Sequence, residues 1–260
     1  MKIASLPWRL QMIHESVVIE DGAKIADGVK IGPFCNIGKD VEIASGVILE
    51  SNIVLMGKIK IANDVRIFSY TAMGNKNSNI EVGEKTHIRE FTQIGTQEPL
   101  EEKNYKKITI GAHSFLMAYV QILNGVNMGD YCILTNAVRL YEDVICEQRV
   151  IIGGLTTVES GITIGTGVMI GGASCVDHDI PPFTLTEGNR ASVKGLNVVG
   201  LRRRLENKAD IEKIKSIFKR ILGDGVDKEL ASKLATEHEN EYAKQFASFI
   251  ANNNIKVKAS

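Results

Sequence analysis

Aliphatic residues recur at every sixth position along most of the chain. The first run passes through Ile13, Ile19, Ile25, Ile31, Ile37, Ile43, Leu49, Leu55, Ile61, Ile67 and Met73. Small or β-branched residues follow four places after each, from Val17, Ala23 and Val29 to Val65 and Thr71. After an irregular stretch, Asn75 to Glu81, the phase returns at Val82, Ile88 and Ile94 and then breaks from Thr96 to Thr109. That break, with its polar QEPLEEKNYKK, predicts a loop excursion near 96–109. A third run extends from Ile110 through Leu116, Ile122, Met128, Leu134, Leu140, Cys146, Ile152, Val158, Ile164 and Ile170 to Val176.

A period of six matches neither a helix at 3.6 nor an alternating strand at two. It suits a parallel β-helix whose strands, about five or six residues long, alternate with tight corners. Glycine follows the inward aliphatic at Gly32, Gly38, Gly83, Gly111 and Gly165, where a corner favours a residue without a side chain. The pattern stops at Ile180-Pro181-Pro182-Phe183, since proline removes a ladder donor and restricts its predecessor. Beyond it, apolar residues three or four apart, Ile211, Ile214, Ile217, Phe218, Ile221 and later Leu230, Leu234, Tyr242, Phe246, Phe249 and Ile250, predict a helical cap. The fold class is therefore mostly β, with residues 1–186 in the repeat domain and 187–260 in a C-terminal helical domain.

Composition changes this picture little. The 260 residues carry 31 basic and 31 acidic side chains, which argues against a general nucleic-acid or membrane-surface binder. No segment approaches the roughly 20 apolar residues of a membrane span, nor is there a signal-like run, so a cytoplasmic location is expected. Cys35, Cys132, Cys146 and Cys175 are too scattered for a metal or redox motif. They read as small buried fillers, and neither metal nor cofactor is expected. His87, His113 and His178 read as surface side chains. A stack of three-sided coils offers flat faces that associate around a threefold axis, so the expected assembly is a homotrimer.

The segment DIPPFTLTEGNRASVKGLNVVGLRRR, Asp179 to Arg204, together with KIGPFCNIG, HIREFTQI, FLMAYVQI, YCILTNAV and VIIGGLTTV, closely resembles the UDP-N-acetylglucosamine acyltransferases that open lipid A biosynthesis in Gram-negative bacteria. The resemblance spans nearly the whole chain. It implies a left-handed β-helix and a homotrimer. It further implies an activity that moves a hydroxyacyl chain from acyl carrier protein to the 3-position of a UDP-amino sugar, in a cleft between subunits.

In that family a stretch of the form L-M-x-x-x-H-x-x-H-D carries the general base, its second histidine. Here the stretch runs from Leu116 to Gly125, with Gln121 at the first histidine, Asn124 at the base and Gly125 at the aspartate. An amide has no lone pair basic enough to take a proton near neutral pH. Two further family histidines correspond to Asp143 and Glu159, whose carboxylates are the candidate substitute bases. The resemblance also marks Asn197, Arg203, Arg204, Ser160 and Gly172 as substrate-binding, Gly172 lying where the family closes its acyl groove, and Arg202 and Lys194 as carrier-protein contacts. Guanidinium groups in that tail suit a diphosphate or an acidic protein face. Two readings remain open: an acyltransferase with a replacement base, or a non-catalytic paralogue that binds carrier protein, acyl chain or nucleotide sugar.

Overall fold

The computed structural model describes residues 12–96, 105–205, 207–223 and 225–255. Its chain winds as a left-handed parallel β-helix of three sheets, with nine, eight and ten strands. Through the coils, up to Cys175–Val176, every third strand joins the same sheet. The first sheet starts at Val18–Ile19, the second at Lys24–Ile25 and the third at Lys30–Ile31. Ile19 pairs with Ile37 and Ile37 with Leu55, so one coil takes eighteen residues. Both sets of the six-residue pattern point inward, and from Val29 to Ile180 they fill one continuous core.

Most strands are two residues long, shorter than the five or six expected, because each side of the triangle gives the rest of its hexapeptide to the turn. The corner residue one place before the second inward position carries the left-handed conformation. Phe34, Asn52, Tyr70, Phe91, Tyr119, Asp143 and Leu155 all have φ near +60° there. Such a residue costs roughly 1–2 kcal/mol when it is not glycine. At most of these corners the residue's own N–H donates to a carbonyl of the preceding coil, as Tyr70 does to Ser51 (3.1 Å) and Asp143 to Asn124 (3.0 Å).

The glycines singled out above sit elsewhere in the turn and have no positive φ. Their requirement is steric: a Cβ on Gly32 would stand 2.5 Å from the Glu50 carbonyl oxygen, and one on Gly165 2.5 Å from Pro182 N.

The two irregular stretches fall at one corner, between the first and second sheets. Met73 pairs with Ile94, a step three residues longer than that from Leu55 to Met73, and the step from Ile94 to Ile122 is ten longer. Both insertions are narrower than the sequence breaks, since Asn79–Val82 and Ile108–Ile110 are already strands. The excursion's residues 97–104 lie outside the described residues.

The expected boundary at 186 falls inside a hairpin. Thr184–Glu187 joins the third sheet in parallel, and Ser192–Leu196 returns antiparallel to it. Helices α1 (Val198–Arg204), α2 (Lys208–Leu222), α3 (Lys228–Glu237) and α4 (Glu241–Asn252) follow. Their N-caps, Asn197, Asn207, Asp227 and Asn240, each accept from a first-turn N–H, supplying orphan donors with a partner. The helices close a second core on Ile214, Ile221, Phe246 and Ile250, which Phe183 enters from the end of the coils.

Candidate active site

The corner between the first and second sheets carries the candidate catalytic positions. Successive coils there read Leu123-Asn124-Gly125, Tyr141-Glu142-Asp143, Glu159-Ser160-Gly161 and Asp177-His178-Asp179. Eighteen-residue stacking sets Asn124, Glu142, Ser160 and His178 in one column, and Ser160 Oγ donates to Glu142 Oε2 at 3.0 Å. Asp143 and Glu159 therefore stand in different columns, on either side of that one.

Asn124 is buried, and its Oδ1 accepts the backbone N–H of Lys106 at 2.9 Å. Lys106 Nζ reaches Asp143 Oδ2 at 2.7 Å, and Asn75 Nδ2 donates to the Tyr105 hydroxyl at 3.2 Å. The excursion is thus pinned across the corner by its last residues. Between Asn124 and that segment lies a cavity of about 10 Å³, room for a single water. A Cβ on Gly125 would fall on the Asp143 carboxylate, so Asp143 occupies the space of the side chain that Gly125 lacks.

The second candidate base, Glu159, is held by Arg190, whose Nε also faces Asp177 Oδ2 at 3.8 Å. Both candidate carboxylates consequently carry a cationic partner. Glu159, Ser160, Tyr141 and Thr157 line an open cavity of about 460 Å³. Gln121 points outward from the first sheet between Gln93 and Arg139. Gly172 lies across that sheet, at its other corner, against the Gly154 carbonyl.

His178 is a correction. It is 3% exposed rather than a surface side chain; Asp177 Oδ1 sits 2.8 Å from its Nδ1, and its Nε2 is buried without a partner among the described residues. His87 is exposed, and His113 stacks half-buried on Tyr131. Cys175 is likewise not a core filler: it is partly exposed on the first sheet, 3.6 Å from Arg190 Nη1, while Cys35, Cys132 and Cys146 are buried. Burial pushes the Cys132 thiol up to about 12 and the Cys146 thiol well above its ordinary value.

The basic tail is divided. Arg204 is half-buried, donates to the Arg149 carbonyl at 3.2 Å, and with Arg149, Arg203, Gln148 and Gln245 lines a cavity of about 440 Å³. Burial, then the nearby Arg149 charge, lowers the Arg204 pKa from its ordinary value. Arg202 faces a separate cavity beside Lys208 and Lys215, and Lys194 is exposed on the hairpin. Asn197 serves the fold: its Oδ1 caps α1 at Gly200 N and its Nδ2 donates to the Gly167 carbonyl.

Reading the repeat missed Lys106, Arg139 and Arg149. Writing the sequence in rows of eighteen would have set Arg139 above Gln121, whereas Lys106 is separated from its partners by the insertion. Among the described residues no cluster of three or more His, Cys, Asp or Glu is placed to hold a metal ion, and no helix is long and apolar enough to cross a membrane.

The family profile for Udp N-acetylglucosamine O-acyltransferase, domain 2, matches residues 179–257. An acyl-[acyl-carrier-protein]–UDP-N-acetylglucosamine O-acyltransferase of Nautilia profundicola is 39% identical over 202 residues, covering 74% of this chain and 77% of the relative. One from Campylobacter jejuni subsp. doylei is 38% identical over 251 residues, 93% and 94% of the two chains. The chain belongs to this acyltransferase family. A solved structure, the UDP-N-acetylglucosamine acyltransferase from Campylobacter jejuni, superposes with a TM-score of 0.87 at 34% identity, covering 94% of this chain and 98% of that one. The family assignment thus holds for coils and helices together, because the similarity runs across both.

Proposed function

We propose that this chain binds the ligands its relatives are named for, an acyl carrier protein and UDP-N-acetylglucosamine or a close amino-sugar analogue, without transferring the acyl group, since position 124 supplies no base. The observation that carries this is the hydrogen bond from Lys106 N to Asn124 Oδ1. An amide cannot remove the acceptor's proton, and this one also fastens the chain's own inserted segment. Loss of a general base typically costs about 10² to 10⁴ in rate. The ligand-holding parts are better kept: the tail arginines line one cavity, and Ser160 lines another, open one.

The proposed assembly is a homotrimer in the cytoplasm, where a carrier-bound acyl chain would be met. Support comes from the corner between the third and first sheets, where Tyr70, Phe91 and Tyr119 stack 5.1 and 5.0 Å apart yet stay exposed, with exposed Phe34 and Leu155 farther along the same corner, beyond Asn52 and Ala137. An apolar stripe of this kind marks an interface.

A second reading keeps catalysis and makes Asp143 the base, favoured by its carboxylate lying over Gly125 beside the base position. One experiment separates them. The purified protein is mixed with hydroxyacyl-carrier protein and UDP-N-acetylglucosamine or its 3-amino analogue, acylated sugar is followed by mass spectrometry, and carrier binding is measured alongside. Binding without product supports the first reading. Product that Asp143→Asn abolishes would establish the second and sink the first.

A further inference from the structure

Arg139 lies on the outer face of the first sheet, in register with Gln121 on one side and Thr157 on the other. Its guanidinium rests on the Tyr141 ring, 4.7 Å from the centroid, and Tyr141 lines the open cavity at the corner. Its Nε is buried and has no hydrogen-bond partner among the described residues. The other charged groups around this cavity are matched: Glu159 is held by Arg190, Asp143 by Lys106, and Glu142 accepts from Ser160. Arg139 has no carboxylate partner among the described residues, and its sheet neighbours Gln93, Gln121 and Thr157 are neutral.

A guanidinium held flat on an aromatic ring keeps its fork fixed and its charge only partly hydrated. An orphaned buried donor carries a standing desolvation cost that an anionic acceptor removes. Phosphate matches the fork with two parallel charge-assisted hydrogen bonds.

We propose that Arg139 is the anion anchor of this cavity and receives a phosphate oxyanion of the ligand, with Gln121 and Thr157 as neutral flanking donors. The inference rests on the ligand reading above. Two sources share this chemistry: the diphosphate of the nucleotide sugar and the phosphodiester of the carrier protein's prosthetic arm.

The test is calorimetric titration of the full chain at low, fixed salt with five probes: UDP, uridine, phosphopantetheine, pantetheine and inorganic pyrophosphate. The wild type should bind at least one phosphorylated probe about tenfold or more tightly than its unphosphorylated counterpart. Arg139→Gln should erase that preference, and Arg139→Lys should keep part of it. The pair that shows the preference identifies the source. Binding of pyrophosphate alone, lost in Arg139→Gln, would keep the anion site and overturn the ligand reading. The proposal fails if Arg139→Gln binds phosphorylated probes as tightly as the wild type, or if the wild type neither prefers a phosphorylated probe to its counterpart nor binds pyrophosphate. It also fails if sedimentation shows that the variant loses only its oligomeric state, which would assign Arg139 to a contact between copies.

Discussion

Asp143 stands where a side chain at position 125 would stand, and this bears on any attempt to restore the family's histidine. Asn124→His with Gly125→Asp should yield no measurable gain in acyl transfer, because the new aspartate meets the Asp143 carboxylate and the Lys106 N–H loses its acceptor. Adding Asp143→Gly frees that space and suits the positive φ at 143, and mass-spectrometric assay of the triple variant should show product where the double variant shows none. The four thiols give a second residue-scale outcome. In the native protein iodoacetamide should label Cys175 at least tenfold faster than Cys35, Cys132 or Cys146, read by peptide mapping, since a thiol must be accessible and ionised to react. Cys132 also sets an alkaline limit. Its folded thiol keeps its proton up to about pH 12 while the unfolded one releases it near 9.0, so between those values the folded state binds more protons. Unfolding free energy from this group is therefore fully present below pH 9 and declines as the pH rises from 9 towards 12; Cys132→Ala should lessen that decline in denaturation measured at pH 8 and pH 10.

At the scale of elements, the repeat was legible because both inward positions of every hexapeptide obey one steric rule, and a run from Ile31 to Val176 fills one core. What the period could not reveal is what happens off the period. The hairpin at Thr184–Glu187 and Ser192–Leu196 follows two prolines and has no six-residue signal, so it read as the start of the helical domain. The latch of Lys106 on Asn124 and Asp143 joins residues that the ten-residue insertion sets out of the eighteen-residue phase, and the polar sequence of the insertion carries no burial pattern. His178 escapes the pattern for a related reason: it lies at the corner, two places from each of the inward residues Val176 and Ile180, and a neighbouring carboxylate, Asp177, supplies the polar partner that lets it be buried. In the helices the spacing was sufficient. Phe246, fully buried between α2, α3 and α4, should cost about 3–5 kcal/mol when replaced by alanine, measured by urea denaturation.

At the scale of the whole molecule, the exposed stack of Tyr70, Phe91 and Tyr119 predicts how copies meet. Phe91→Glu should shift the sedimentation profile from trimer to monomer while circular dichroism stays unchanged, since the ring packs on neighbours of its own corner and not in the core. The coils carry another kind of information. Because Val41 lies over Ile59 and Ile43 over Ile61, the chain has something like a reading frame of eighteen. Removing Val41 to Lys58 joins Asp40 to Ile59 in phase and leaves a molecule one storey shorter. Removing one residue fewer is a frameshift, which turns every aliphatic side chain above the cut out of its place, and the site, the cap and the assembly go with it.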